Sequence, residues 1–336
     1  MRSPKSVAAV VAATAALLLG TGLGTAAASP APAAPSAHPA AARESAAKGA
    51  ADAQAAAAAV CSSAAAVSGQ SVHGTLPQAE VRRQLSSLTA QHRAQYGIAA
   101  KGPLGTAART PSARTPLVSI HPAQGTAFKA AAGADGSCAT QSVSTSLTVA
   151  DSYTTIYTPT MYPPGGSCVE LVTVYTNSVR EVAAWDWCHS VNFAASVPIT
   201  SAFLSTYTNG TGAYTGRVIR TSASSNTWAA ALYNYSTAKW DTLFSQSGTN
   251  QSGRTDGWDI EELYSTVASS GQAYSCGDMA GTTFESSGIS VRNNGTWSAA
   301  SSANADTHYD SPSSGFYCPS RSYQMISAYS HWKAVG

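Results

Sequence analysis

Charge is what this 336-residue chain has least of. Asp, Glu, Lys and Arg together make 11% of it, against about 25% in an ordinary soluble protein. Solubility therefore rests on Ser, Thr, Asn, Gly and Tyr, a composition suited to life outside the cell. Only eight basic residues fall after position 137, so the electrostatic footprint of a nucleic-acid binder is missing there. No stretch reaches the ~18 apolar residues that a membrane-spanning helix needs, and no membrane insertion is expected. No two cysteines stand at C-x2-C to C-x4-C spacing, which disfavours zinc. The chain also lacks a G-x-S-x-G elbow, an H-E-x-x-H pair, a Walker loop and a paired glycine-rich dinucleotide fingerprint. No metal and no cofactor are expected. His189, His308 and His331 are the only histidines after position 137, and they are read as structural or exposed.

What is present begins with a leader. Arg2 and Lys5 precede an apolar run from Val7 to Leu19, and Ala26-Ala27-Ala28 offers an A-x-A cleavage site before Ser29. Residues 1–28 read as a secretory signal peptide, which places the protein outside the cell. Residues 29–137 are an Ala/Pro-rich, low-complexity arm, largely too poor in large apolar side chains to order. One segment of the arm differs. Val81, Leu85, Leu88 and Tyr96 follow Pro77 at helical spacing, so an amphipathic helix is expected near 76–96. Two roles compete for the arm, a flexible tether and a pro-segment that covers the domain until removed; the tether is preferred. The arm holds nine basic and four acidic groups, the remainder eight and thirteen. A basic arm on an acidic domain would steer toward an anionic wall polymer or fold back.

From Cys138 the texture changes. All seven Trp lie after position 184, and 14 of the 15 Tyr after position 150. Strand patterns recur at Ser142 to Val149, Val169 to Tyr175, Ala183 to Trp187, Ala202 to Tyr207, Tyr214 to Thr221, Trp228 to Tyr235, Trp240 to Ser245, Gly257 to Tyr264 and near the C-terminus. Asn209-Gly210 and Asn294-Gly295 are hairpin signals, since both turn positions need positive φ. About ten short strands without a convincing helix predict an all-β domain over 138–336, an antiparallel β-sandwich of jelly-roll-like type. Export permits disulfides. Cys168 and Cys188 bracket one excursion, Cys276 and Cys318 another, which leaves Cys61 and Cys138 to tie the arm to the domain. Six cysteines allow fifteen connectivities, and the others stay open.

The chemistry-bearing residues are carboxylates among aromatics. A period of two puts Trp258, Ile260, Glu262 and Tyr264 on one strand face, with Asp259, Glu261 and Leu263 on the other. Burial among large apolar groups would raise the Glu262 pKa and suit it to acid–base work. Asp186, between Trp185 and Trp187, is a second candidate. The bland alternative makes Trp258, Ile260 and Tyr264 core and Glu262 a carboxylate bonded to a tyrosine hydroxyl. Asp256 and Asp259 leave calcium open.

The stretch from Trp228 to Trp240, followed by Gly257-Trp-Asp-Ile-Glu-Glu262, resembles the glutamic peptidases (eqolisins), in which a similar strand hairpin precedes a Glu-Trp-Ile-x-Glu segment on a β-sandwich. The resemblance implies acid-active peptide hydrolysis by a Glu and a Gln. Here Gly257 stands where that Glu would precede Trp, and the partner Gln has no match. The same stretch with Cys276 and Cys318 also resembles actinobacterial exported proteins labelled carbohydrate-binding. Trp185, Trp187, Trp240, Trp258 and Tyr264 are accordingly the expected ligand platform, their ring faces meeting sugars. The preferred reading is a secreted, non-catalytic binding module for a glycan or cell-wall polymer. The alternatives are an assembly component with a secreted protein partner, and an acid-active hydrolase.

Overall fold

A computed structural model describes residues 55–96, 118–152, 154–266, 268–270, 272–308, 318 and 320–336. All of them belong to the compact unit Glu44–Gly336; the other unit, Met1–Arg43, lies outside the described residues, and with it the expected signal peptide.

Two sheets make the body. One runs β1 (Val67–Ser71), β10 (Lys239–Gln246), β9 (Thr227–Asn234), β8 (Ala213–Ser222), β3 (Ala134–Ser142), β12 (Thr283–Asn293), β16 (His331–Val335), β15 (Ser322–Ser327), with β13 (Thr296–Ala299) also on β12. The other runs β14 (Ala305–His308), β2 (Val118–Phe128), β11 (Gly257–Thr266), β4 (Thr155–Tyr162), β5 (Val169–Tyr175), β6 (Arg180–Asp186), β7 (Asn192–Pro198). Every pairing but the parallel β1–β10 is antiparallel. Leu171, Tyr214, Trp228, Leu263, Phe284 and Trp332 pack between the sheets, where each strand sends every second side chain. This is the expected antiparallel β-sandwich.

Several local readings change. Ser201–Tyr207 is a helix, α3, not a strand: Thr200 caps it by accepting from the Phe203 N–H, and Phe203 and Tyr207, four apart, face the core. Asn209 and Gly210, at φ 48° and 72°, then end that helix region rather than close a hairpin. The Asn294-Gly295 turn does join β12 to β13, with Asn293 opposite Thr296 and φ of 46° and 81° at the two turn residues. Residues 143–149 are not strand; the ladder ends at Ser142. Sheet structure also begins before Cys138, because β2 and the first part of β3 precede it.

Part of the arm packs on the body. A helical turn over 55–62 (α1) carries Cys61, bonded to Cys138 of β3, and β1 extends the sheet edge at β10. The amphipathic helix α2 spans Gln78–Tyr96. Its Val81, Leu85 and Leu88 are buried in one apolar cluster with the outer face of the seven-stranded sheet. The Leu76 N–H donates to the Ser196 carbonyl, and the Thr89 hydroxyl reaches Asn192 Oδ1 at 2.5 Å. The remaining disulfides are Cys168–Cys188, across the β5–β6 hairpin, and Cys276–Cys318.

Candidate functional site

The outer face of the seven-stranded sheet gathers most of the singled-out residues. On β11 the period of two holds, with Trp258, Ile260 and Tyr264 joining the outer cluster and Leu263 the interior. On β4 a bulge intervenes: Tyr157 opposes Val174 but Thr160 opposes Val172, three residues against two. The extra residue resets the parity, so Tyr157 and Tyr162 both face outward. Strand β6 adds Ala183 and Trp185, with Trp187 just beyond its end, and β7 adds Phe193. The result is a continuous aromatic floor. Tyr162 stacks on Trp258 with centroids 4.6 Å apart, Trp185 meets Phe193 edge-on at 4.9 Å, and Tyr157 meets Tyr264 at 5.2 Å.

Three carboxylates sit in that floor. Glu170 of β5 is wholly buried; its Oε2 accepts from the Trp187 indole N–H at 3.1 Å, and its Oε1 from Trp258 Nε1 at 3.1 Å and the Thr160 hydroxyl at 2.5 Å. One carboxylate thus fixes the orientation of two indoles. Glu262 is also fully buried, and its Oε1 accepts from the Tyr264 hydroxyl at 2.5 Å. Burial first, and then the negative charge of Glu262, raise the pKa of Tyr157 and Tyr264 well above the ordinary phenol value, so both stay protonated donors. The third, Glu181 of β6, is pushed up by burial, with the like charge of Glu80 on α2 adding to the effect.

The other candidates separate from this group. Asp186 accepts the backbone N–H of Cys188, His189 and Ser190 at 2.8–3.0 Å and the Gln246 amide at 3.1 Å. Burial alone would raise its pKa, but those donors outweigh it and the net shift is downward. It is a loop organiser, unsuited to act as an acid near neutrality. Trp240 lies on the other sheet, beside the Cys61–Cys138 disulfide. None of the five expected platform residues shows its ring to solvent: Trp185 is 5% exposed, Tyr264 1%, and Trp187, Trp240 and Trp258 are at zero. An open sugar platform of these rings is therefore absent from this arrangement: Trp185, Trp187, Trp258 and Tyr264 share one buried cluster with Val81, Leu85 and Leu88 of α2, and Trp240 packs against Cys61 and Cys138. Asp256 is bonded to Arg254 at 2.6 Å while Asp259 points between the sheets. No cluster of metal-ligating side chains occurs among the described residues, and no helix among them is long and apolar enough to cross a membrane.

No family model and no curated protein matches the chain. Solved structures do show similarity. Scytalido-glutamic peptidase with a peptide-based transition-state analog overlaps 66% of this chain and 99% of its own at 16% identity and a TM-score of 0.39. SCP-B, a member of the eqolisin family in complex with the tripeptide Ala-Ile-His, overlaps the same shares at 14% identity and a TM-score of 0.37.

The chain's own geometry bears on peptidase chemistry at Gly257. A Cβ there would collide with the Tyr162 carbonyl oxygen and the Pro163–Pro164 backbone. The position preceding Trp258 has no room for the glutamate that the sequence resemblance calls for. Glu170, by contrast, was not singled out by the sequence reading. Its signal was available: it is the one charge in the apolar run Cys168-Val-Glu-Leu-Val-Thr-Val174.

Proposed function

We propose that this is an exported, non-catalytic binding module for a glycan or cell-surface polymer, whose aromatic binding face is covered in cis by α2. The observation that carries it is Glu170. A fully buried carboxylate is costly unless its acceptors are all used, and a purely structural core is served as well by an apolar residue. Here the carboxylate pins Trp187 and Trp258, which pre-organises ring faces and lowers the ordering cost of binding. The leader and the three disulfides support export. Movement of α2 would uncover the floor.

A second reading, an acid-active hydrolase, draws on Glu170 and Glu262, since both carboxylates act electrostatically on Tyr157 and Tyr264. Gly257 weighs against its glutamic-peptidase form.

The test is retention of the full chain on insoluble polysaccharides and cell walls, beside Leu85→Asp to dislodge α2 and Leu85→Asp/Trp258→Ala to damage the floor. Stronger retention of the first variant, lost in the second, supports the module. Equal retention of all three refutes it. Peptide cleavage between pH 3 and 7 that Glu262→Gln abolishes would instead establish the hydrolase.

A further inference from the structure

The outer face of the nine-stranded sheet, opposite the aromatic floor, carries a second group of polar side chains with an unusual imbalance. Arg217 of β8 lies opposite Cys138 on β3, and Arg292 of β12 lies opposite Gly136, two residues along the same strand. Directly opposed residues share a sheet face, so both arginines flank β3 on the side that carries the Cys61–Cys138 disulfide. Gly136 lies so close to Ile219 and Arg292 that even a Cβ there would be crowded. Trp240 borders the group, with the Arg217 guanidinium carbon 4.1 Å from its ring centroid.

Donors outnumber acceptors among the unpartnered atoms here, three to one. Arg217 is 7% exposed, and its buried Nε has no hydrogen-bond partner. The buried Trp240 Nε1 has none, and neither has Arg292 Nη1. The nearest acid, Asp135, forms an ion pair with Arg292 at 3.6 Å and accepts the Gly295 N–H on the same Oδ2, while its buried Oδ1 has no hydrogen-bond partner. Among the described residues Arg217 has no carboxylate partner. Its pKa is held down to about 10 by burial, with the like charge of Arg292 adding to the effect. Two guanidinium groups and an indole N–H against one carboxylate leave a net positive, donor-rich surface. Buried cations are ordinarily paired, and guanidinium groups are matched by oxyanions, which accept two parallel hydrogen bonds.

We infer that Arg217, Arg292 and Trp240 form an oxyanion-binding site, taking a phosphate, sulfate or carboxylate group on the face of the sheet beneath α1. Arg292, with 22% of its side chain exposed, opens the site to solvent, and Arg217 and Trp240 form its floor. The site is independent of α2 and of the aromatic face. Its ligand is a free anion or the anionic group of a polymer, and the two share the same recognition chemistry.

The experiment is a titration of the full chain with inorganic phosphate, sulfate, acetate and a sulfated polysaccharide, each against chloride at matched ionic strength. Thermal midpoint and indole emission are the readouts, the latter because Arg217 stacks on Trp240. A saturable rise in midpoint beyond that in chloride is expected, with affinity falling about tenfold or more in Arg217→Gln and in Arg292→Gln. Tighter binding of the polysaccharide than of free sulfate would identify a polymer as the source; equal binding per group would identify the free anion. Should Arg217→Gln fail to fold, the partly exposed, turn-proximal Arg292→Gln decides alone. A response no larger than that to chloride, or wild-type affinity in every folded variant, would overturn the inference.

Discussion

Truncating Leu85 is expected to release α2 without unfolding the sandwich. Leu85 is fully buried, as is Val81, and Leu88 nearly so. Each buried side chain of this size contributes about 1.5–3 kcal/mol, so the three together hold the helix by several kcal/mol before entropy is subtracted. The polar attachments add little more, being the Leu76 N–H to Ser196 and the Thr89 hydroxyl to Asn192. Leu85→Ala removes packing worth about 2–4 kcal/mol, which shifts the docked-to-free ratio by about 30- to 800-fold. The apolar core between the two sheets contains no residue of α2, whose buried side chains belong to the outer cluster. Amide exchange should accelerate in α2 and in β7 while the interior strands β5, β8 and β11 keep their protection. A dye sensitive to exposed apolar surface should bind the variant and not the parent. If exchange instead rises uniformly, with one lowered melting transition, α2 is an integral part of the fold and not a separable cover over the aromatic face.

Other consequences follow from the same packing. Burial pushes Asp259 up to about 7, against hydrogen bonds that include Trp332 and Gln141. A raised folded pKa means that its contribution is complete below about pH 4 and lost as pH rises through about 7, about 4 kcal/mol in all; thermal melts of Asp259→Asn should show a flatter profile across that window. Arg321→Met leaves Glu261 buried without its guanidinium and should cost about 3–5 kcal/mol, whereas the double change Glu261→Met/Arg321→Met should recover much of it in denaturant titrations. Gly257→Ala forces a methyl against the Tyr162 carbonyl and should destabilise by about 1–3 kcal/mol; a neutral result would reopen that position to a glutamate. Cys61→Ser opens a loop spanning 77 residues and should cost about 2–4 kcal/mol, seen as a lower melting point and faster exchange around β1.

The strands that could be read from the sequence were those whose burial alternates or whose turns are chemically marked. Gly257 to Tyr264 is one, and the β9–β10 and β12–β13 hairpins are others. What escaped was set by tertiary context. The segment Ala202 to Tyr207 has the apolar spacing of either a strand or a short helix, and the Thr200 cap decided it. Strand β4 contains a proline and changes parity at a bulge, so no period-two rule could place both Tyr157 and Tyr162 on one face. Strand β2 lies in a region whose Pro, Ala and Gly content argues for loop, and its pairing with β11 and β14 supplies the order that local propensity does not. At the site, parity grouped Trp258, Glu262 and Tyr264 correctly, but it could not show that Asp186 caps a loop or that Trp240 belongs to the opposite sheet. Those facts depend on which strands become neighbours.

The placement of acids along β11 bears on what the molecule is organised to do. Asp259, Glu261 and Glu262 are each fully buried, although a sandwich of this size needs no buried charge for stability. Two of them face inward and have dedicated partners across the sheets, Asp259 with Gln141 and Trp332, and Glu261 with Arg321. Those pairings tie β11 to β3, β16 and the segment after Cys318, and they fix the register of one sheet on the other. Glu262 faces outward and has a tyrosine partner on its own strand. It therefore contributes nothing to sheet-on-sheet register, and the same holds for Glu170, whose indole partners lie on the outer face. The inward acids are accounted for by architecture. The outward acids instead hold side chains of their own face, Glu262 the Tyr264 hydroxyl and Glu170 the Trp187 and Trp258 indoles, so their effect falls on the surface that α2 meets and not on the core between the sheets.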